Sequence, residues 1–178
     1  MASIHYELMN LNDLRFRNAT PADIETLSDI ARRAKAVWGY PAAWMEAWRD
    51  QLTIQARELE QDDIRVATLA DAIVGFVSVG RVDEASKTEG RSVGEICHMW
   101  IDPENQRGGL GRAVFDEALC ICRDRGYELL RIDSDPNAIG FYMKMGCRVI
   151  GTVSADVLGL PRSLPLLELD LTLTPRRD

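Results

Sequence analysis

The stretch QRGGLGR, residues 106–112, concentrates glycine and arginine immediately before a helical pattern. Its glycines would let an anion approach the backbone, because no side chains stand in the way. A helix beginning near Leu110 would point unpaired N–H groups and the positive end of its dipole into the same turn. Arg107 and Arg112 can add charge-assisted hydrogen bonds. The stretch therefore predicts a site for a phosphate or a pyrophosphate, with three glycines at its centre: Gly108, Gly109 and Gly111.

Two common nucleotide-binding motifs do not fit this stretch. The P-loop of nucleoside triphosphatases needs Lys and then Ser or Thr after its last glycine, and here Arg112 and Ala113 follow. The dinucleotide fingerprint needs the spacing G-x-G-x-x-G, which the residues from Gln106 to Gly111 do not provide. The anion site must belong to another class of protein.

Two groups that could accept a proton lie in the segment SVGEICHMWID, residues 92–102, which has the pattern of a strand. They are Glu95 and His98, and with a period of two only one of them can readily face a cleft. A carboxylate exposed at a strand edge and a histidine packed beneath the sheet are the non-catalytic alternatives. The alternation predicts Glu95, Cys97 and Met99 on one face and Ile96, His98 and Trp100 on the other.

A proton donor is available in NAIGFYMKMG, residues 137–146, which predicts a short helix closed by Gly146. Tyr142 carries a phenol that could donate a proton, and its alternative role is to pack the helix on the sheet, as Phe141 is expected to do. Asn137 precedes the helix and is predicted to be its N-cap.

The elements that must position these groups follow in a clear order. A strand at 14–20 precedes a helix capped by Thr20, and the segment 40–60 predicts a second helix. Two apolar runs within 63–84, joined by ADA, predict an antiparallel hairpin. Then come the strand with Glu95, a helix, a strand at 128–135, the short helix, and strands at 147–153 and 164–173. This order predicts an α+β fold with a sheet of mixed direction.

Composition sets further limits. The chain has 178 residues and 46% hydrophobic content, which suits a single domain with its own core. A net charge of -7 argues against nucleic acid and is compatible with a cationic small substrate. No apolar run is long enough for a bilayer, and the first residues lack a signal core, so no membrane partner and a cytoplasmic location are expected. Four scattered cysteines and two histidines predict reduced thiols and no metal site.

The region from Glu95 to Gly151 resembles the GNAT superfamily of acetyl-CoA-dependent N-acetyltransferases. Gln106-x-x-Gly109-x-Gly111 matches the pyrophosphate loop Q/R-x-x-G-x-G/A of that family, and NAIGFYMKMG matches the helix beside the cofactor arm. Both motifs occur in the family's order, separated by one helix and one strand. The order of elements extends the resemblance over nearly the whole chain, with Cys147 departing from an aromatic residue that is frequent in the family.

The resemblance implies a single domain over residues 1–178, in which 1–13 form a leader. It implies a three-layer fold whose mostly antiparallel sheet is splayed between two central parallel strands. The cofactor that the resemblance implies is acetyl-CoA, whose pantetheine arm would enter between these strands and bond to the backbone of Met99 and Ile101. The residues expected to bind it are Met99, Trp100, Ile101, Gln106, Arg107, Gly108, Gly109, Leu110, Gly111, Arg112, Asn137, Phe141 and Tyr142.

The resemblance also implies the catalytic roles. Glu95 stands where the histone-modifying branch carries its base, and Tyr142 stands where the family protonates the departing thiolate. His98 is the second candidate for the base. Cys97 has no identifiable activating partner, which disfavours a covalent acyl-enzyme without excluding it.

The acceptor amine should lie against the segment between the first two helices, which covers the cleft in this family. Trp38 and Tyr40 could form an aromatic wall, whereas Trp44 and Trp48 are expected to pack in the core. The stretch GLPRSLP, residues 159–165, predicts a turn. Its Arg162 could bind a substrate carboxylate, although a solvated loop arginine is the simpler interpretation.

Two functions remain open from the sequence. The first is direct acyl transfer to a primary amine of a small molecule or peptide within a ternary complex. The second is a catalytically weak acyl-CoA-binding protein that acts as a sensor or in assembly. A homodimer formed through the edge of the alternating last strand is an alternative to pairing of that strand within the chain.

Overall fold

The computed structural model describes residues 11–82, 90–106 and 108–173, and its centre is one mixed sheet. The strands follow the order β1-β2-β3-β4-β5-β7-β6, and only the β4–β5 pair is parallel. This arrangement confirms the predicted α+β class and its central parallel pair. The strands are β1 (Arg15–Asn18), β2 (Asp63–Leu69), β3 (Ala72–Arg81), β4 (Val93–Ile101), β5 (Leu129–Asp133), β6 (Arg148–Val157) and β7 (Leu160–Asp170).

Helices cover both faces of the sheet and give three layers. One apolar core lies between the sheet and α4 and includes Val77 and Phe115, while a second core joins α1 to Phe76 and Val66 on the opposite face. Alternate residues of β3 thus enter opposite cores, as the period of a strand requires. The helices are α1 (Ile24–Ala36), α2 (Ala42–Ala47), α3 (Glu58–Gln61), α4 (Leu110–Asp124) and α5 (Ile139–Lys144).

The predicted hairpin between β2 and β3 is confirmed. Its two turn residues, Ala70 and Asp71, have φ values of 46° and 67°. Both therefore adopt the left-handed conformation of a tight two-residue connection, whose twist matches that of the strands.

The single helix predicted over residues 40–60 is wrong in its extent. α2 ends at Ala47, and the chain forms turns before the short α3 begins at Glu58. Within these turns Ile54 is 1% exposed, and its N–H donates to Ser28 Oγ of α1 at 2.9 Å. Burial of Ile54 against α1, together with the low helix propensity of β-branched residues, outweighs the helical periodicity.

The turn predicted at residues 159–165 is also wrong, since Leu160 already belongs to β7. Pro161 and Pro165 lie within the strand, where they pair with Asp156 and Thr152 of β6. The hairpin turn is shorter and is formed by Leu158 and Gly159, with φ values of 54° and 76°. β7 is paired on both sides, so the edge considered for a homodimer belongs to β6 instead.

The predicted capping role of Thr20 is confirmed, because Thr20 is the N-cap of the 3-10 turn Pro21–Asp23 that leads into α1. Asp23 is buried, and its carboxylate accepts from the Thr20 N–H at 2.7 Å and from both Arg17 Nη atoms at 2.8 Å. The hydrogen bonds from Arg17 lower the pKa of Asp23 to about 2, against a smaller opposing effect of burial.

We expect Asp23→Asn to lower the free energy of unfolding at neutral pH by roughly 1 to 2 kcal/mol. The folded-state pKa is depressed, so this contribution is complete above the ordinary carboxyl pKa of about 4 and is lost as the pH falls towards 2. Urea unfolding of both proteins between neutral and acidic pH measures it. A difference that stays constant as the pH falls would contradict the assignment.

Candidate active site

The site begins where β4 and β5 stop pairing. Their parallel ladder contains only the pairs Val93–Leu129, Gly94–Leu130 and Glu95–Arg131. Beyond Glu95, β4 continues to pair with β3 as far as Ile101, whereas on the β5 side it has no strand partner within the described residues. Backbone N–H and C=O groups on that side are available to a ligand.

A cavity of about 660 Å³ fills the opening between these strands. Its walls include residues 96–101 of β4 and 132–135 at the end of β5. One end reaches Gln106 and Gly111 near the start of α4, and the other reaches Trp38 and Arg162. The cavity therefore connects the glycine turn with the region predicted for the acceptor.

Charged side chains of α1 hold the two strand ends. Arg33 makes two hydrogen bonds, of 2.7 and 2.9 Å, to the carboxylate of Asp102 directly after β4. Lys35 Nζ lies 2.7 Å from Asp135 Oδ2, two residues beyond β5. The hydrogen bonds from Arg33 also lower the pKa of Asp102, despite the opposing effect of burial. One helix thereby fixes both sides of the opening.

The glycine turn has the backbone that the sequence predicted. Gly108 and Gly109 have φ values of 77° and 89°, which favour glycine, and α4 begins at Leu110. Gly111 has a different role, because a Cβ there would lie 3.3 Å from the ring of Phe141. Arg107 lies outside the described residues. Arg112 is exposed, with its Nε 3.9 Å from Asp116 on the next turn.

Tyr142 lines the cavity with a phenol that stays protonated. Its side chain is buried, and its hydroxyl lies 3.9 Å from the thioether of Met99, a weak acceptor. Burial raises the pKa of Tyr142 above that of an ordinary phenol. The neighbouring Phe141 packs edge-on against Phe115, with ring centroids 6.2 Å apart. Tyr142 thus contributes to packing and also presents a proton donor.

The strict alternation predicted for β4 is wrong because of a β-bulge. His98 pairs with Ser78 and Ile96 with Val79, which leaves Cys97 as an extra residue. Ile96 consequently packs in the α4-side core, where Met99 and Ile101 also pack. Trp100 packs in the α1-side core, and the ring of His98 lies 6.2 Å from that of Phe76 in the same core.

His98 lines the cavity but is not set to accept a proton. Its Nδ1 accepts from the indole N–H of Trp100 at 3.3 Å, so the neutral ring carries its hydrogen on Nε2. Nε2 lies 3.8 Å from the carboxylate of Glu58. Burial lowers the pKa of His98, while Glu58 and Asp62 oppose that shift. The lone pair of the neutral ring thus accepts a hydrogen bond from Trp100 and is not available to accept a proton from a substrate.

Glu95 is partly buried beside the last paired row of β4 and β5, and it is not part of the cavity wall. Burial and the charge of Asp133 raise its pKa, and Arg131 opposes them. Asp133 does line the cavity. Partial burial therefore makes Glu95 a stronger base than an exposed glutamate.

Cys97 also lines the cavity, where its thiol is reachable by solvent yet surrounded by protein. Burial, with the charges of Asp62 and Glu95, raises the pKa of Cys97 to about 12. A thiolate is the nucleophilic form of cysteine, so its environment disfavours a covalent acyl-enzyme.

Asn137 is not the predicted N-cap. Asp135 takes that position, because its Oδ1 accepts from the Asn137 N–H at 2.9 Å. The Asn137 amide instead donates to Tyr40 Oη and to Asp135 Oδ1, both at 3.0 Å. The pair Asp135-Pro136 is itself a typical helix start, and this signal could have identified Asp135.

The far end of the cavity contains a charged cluster that the sequence did not predict. Asp135 accepts hydrogen bonds from Lys35 Nζ, Tyr40 Oη and Arg162 Nη2 at 2.7, 2.9 and 3.4 Å. Burial alone would raise the pKa of Asp135, but the bonds from Lys35 and Asn137 outweigh it and lower the pKa. Burial lowers the pKa of Lys35, against the effect of this ion pair. Arg162 is a strand residue, and its only acidic partner in the described structure is Asp135.

The structure divides the aromatic residues of the acceptor region between cavity wall and core differently from the prediction. Trp38 and Trp48 line the cavity, whereas Tyr40 and Trp44 do not. Trp48 is also 6% exposed and belongs to the α1-side core, so it has both roles. The hydroxyl of Tyr40 donates to Asp135 and accepts from Asn137. Of the two residues predicted to form the aromatic wall, Trp38 is therefore the one that lines the cavity.

Comparison with known proteins identifies the family. Residues 24–147 match the sequence profile of the acetyltransferase (GNAT) family. The chain belongs to this family. The match includes both the glycine turn and the helix with Tyr142.

Curated relatives of this GNAT chain match it over part of their length. N-acetyltransferase 8 of Homo sapiens is 29% identical over 89 residues, which are 48% of this chain and 38% of the relative. The chain spans less than half the length of the curated relatives it matches, from 22% to 46%.

Solved GNAT structures share the fold over nearly the whole chain. A GCN5-related N-acetyltransferase from Rhodopseudomonas palustris superposes with a TM-score of 0.70 at 20% identity, over 88% of this chain and 94% of that one. An N-acetyltransferase from Thermoplasma acidophilum in complex with coenzyme A gives a TM-score of 0.64 at 18% identity, over 88% and 98%. These similarities establish a common GNAT fold.

Two further properties concern the described part of the GNAT domain. Residues 11–82, 90–106 and 108–173 contain no group of three or more His, Cys, Asp or Glu side chains placed to hold a metal ion. Across the same ranges, every helix is too short or too polar to span a bilayer.

We expect Asp135→Asn to lower the free energy of unfolding by about 2 to 4 kcal/mol, because Lys35 and Arg162 would keep their burial without a counter-charge. Asn preserves much of the capping geometry, so the loss would report the charge. Asp156→Asn is the control, because that exposed carboxylate accepts from Gly159 N–H in the turn. Denaturant unfolding measures both, and equal small losses would contradict the role of Asp135.

Proposed function

We propose that the protein transfers an acetyl group from acetyl-CoA directly to a primary amine of a small molecule or peptide. The main support is the cavity between β4 and β5, because its lining includes both residues of the glycine turn and a group of aromatic and charged side chains. Two substrates that enter from opposite ends would meet at the gap between the strands. Such an arrangement suits a ternary complex.

The residues at one end fit acetyl-CoA. The left-handed Gly108 and Gly109 expose backbone at the N-terminus of α4, where free N–H groups favour a diphosphate. The edge of β4 from Met99 to Ile101 would bind the amide-bearing arm in the manner of an added strand. Gln106 and Phe141 complete this part of the cavity. When bound, acetyl-CoA supplies an activated acyl group and a thiol leaving group.

Tyr142 would protonate the leaving thiolate. Its raised pKa keeps the phenol protonated over the physiological range, and the cavity gives it access to the strand gap. A phenol with an elevated pKa is a weak acid in solution, so its contribution depends on a short hydrogen bond to the developing charge. The contact with the Met99 thioether leaves the hydroxyl without a strong competing acceptor.

Glu95 would accept the proton of the amine. Its raised pKa makes the carboxylate a stronger proton acceptor, and the neighbouring carboxylate of Asp133 would attract an ammonium group to the gap. The alternative base, His98, already uses its lone pair for Trp100. The raised thiol pKa of Cys97 supports direct transfer over a covalent intermediate.

We also infer a cytoplasmic setting. All four cysteines are free thiols, which suits a reducing compartment.

We expect Tyr142→Phe to reduce kcat roughly ten- to a hundredfold and to leave acetyl-CoA affinity nearly unchanged. The variant keeps the buried ring and removes only the proton donor. Tyr127→Phe, outside the cavity, is the matched control. Thiol release measured over a panel of amines tests the assignment, and equal turnover of both variants would rule out Tyr142 as the acid. If the wild-type protein binds acetyl-CoA but acetylates none of the amines, the acyl-CoA-binding function is favoured instead.

We expect Gly109→Glu to abolish acetyl-CoA binding, because a side chain and a negative charge would enter the proposed diphosphate site. Gly126→Glu is the control, since Gly126 has a φ of 70° and open space around its Cβ position, at the other end of α4. Both variants impose similar backbone strain, and only one should lose binding. Isothermal titration calorimetry distinguishes them, and retained affinity in Gly109→Glu would contradict the role of the turn.

A further inference from the structure

A buried charged cluster at the acceptor end of the cavity contains more cationic than anionic side chains. Lys35 and Arg162 both line it, and their side chains are only 12% and 15% exposed. They share a single carboxylate, that of Asp135, whose side chain is 7% exposed. Two cations and one anion leave this cluster with one unbalanced positive charge.

Asp135 has no capacity to bind either cation more fully. Its Oδ1 accepts from the backbone and side-chain N–H groups of Asn137, and Tyr40 Oη lies 2.9 Å from both carboxylate oxygens. Oδ2 accepts from Lys35 and, at the long distance of 3.4 Å, from Arg162. The lone pairs of one carboxylate are therefore in use, and Arg162 is the less completely paired cation.

Arg162 retains donors that can reach a ligand. Its hydrogen bonds to other described residues both involve Nη2, with Tyr40 Oη at 3.1 Å and Asp135 Oδ2 at 3.4 Å. Nε and Nη1 have no protein acceptor within the described ranges, and neither is sealed from solvent. The guanidinium carbon lies 5.0 to 5.6 Å from the ring centroids of Tyr40, Trp44 and Trp48, which fix its position.

The nearby acidic groups do not cancel this charge. Asp156 also lines the cavity, but among the described ion pairs it forms none with Lys35 or Arg162, and its exposed carboxylate is screened by solvent. Asp133 lies further along β5 towards Glu95, on the acidic side of the strand gap. The incompletely paired cations thus lie at the end formed by α1 and β7, apart from the carboxylate of Asp133 near the gap.

We infer that the acceptor is an amino carboxylic acid, whose carboxylate binds Arg162 and Lys35 while its amine extends towards the strand gap. The inference rests on the proposed acetyl transfer and narrows its substrate class. A carboxylate would restore neutrality at the cationic end and use the planar donor fork of Arg162. Trp38 and Trp48 would cover the carbon chain between the two charged ends.

The test compares amino acids with their amides, using protein saturated with coenzyme A so that no reaction occurs. The probes are β-alanine, γ-aminobutyrate, ε-aminocaproate and L-lysine, each paired with its amide. Calorimetry gives the affinities, and the fluorescence of the cavity tryptophans gives an independent signal. We expect at least one acid to bind roughly ten- to a hundredfold more tightly than its amide, as charge-assisted hydrogen bonds predict.

Arg162→Gln should remove this discrimination while leaving coenzyme A affinity unchanged. Arg49→Gln should preserve it, because Arg49 is exposed and paired with Glu46 away from the cavity. If Arg162→Gln fails to fold, Arg162→Lys is used, which should retain part of the preference because it keeps the charge without the fork.

The outcomes separate the two proposals. Acids and amides that bind equally, discrimination that survives in Arg162→Gln, or no binding by any probe would overturn the inference. Acetyl transfer to amines without a preference for carboxylates would leave the proposed function intact and remove only the substrate class. Selective binding of acids without transfer would support the carboxylate site and contradict acetyl transfer.

Discussion

The attachment of one helix to two diverging strands underlies the whole site. Parallel strands gain stability from every paired row, yet β4 and β5 stop after three rows. Arg33 and Lys35 of α1 bind carboxylates directly beyond the two strands, Asp102 and Asp135. Because these ion pairs are partly or largely buried, their geometry is maintained more firmly than that of a surface pair. The gap between the strands leaves backbone N–H and C=O groups of β4 available to a ligand, and it forms the cavity.

The strand on one side of this gap, β4, presents one face to each substrate site. The bulge at Cys97 places Ile96 on the same face as Met99 and Ile101, which pack towards α4, where acetyl-CoA is proposed to bind. Ordinary alternation after the bulge places His98 and Trp100 on the α1 side. One strand thus contributes to both substrate sites.

The electrostatics of the cavity follow from which charges are paired. The phenol of Tyr142 stays neutral because burial disfavours its ionised form, and the thiol of Cys97 stays protonated for the same reason. Carboxylates lie near the strand gap, and two cations with one carboxylate lie at the far end. A chain with a net charge of -7 therefore contains a buried cluster with an excess of cationic side chains. Overall charge is a poor guide to the ligand of a buried site, since burial and local pairing determine the local field.

Local sequence signals determined much of this protein. The glycine turn, the hairpin at Ala70 and Asp71 and the start of α1 depend on backbone conformations that a few neighbouring residues specify, and the two motifs identified the family. Tertiary structure alone decided the bulge at Cys97, the break of the helix predicted over 40–60 and the position of Arg162 in β7. It also brought Lys35, Asp135 and Arg162 together from α1, the end of β5 and β7. Such contacts join residues distant in the chain, and they form only where packing and the pairing of buried charges outweigh the local preferences of each segment.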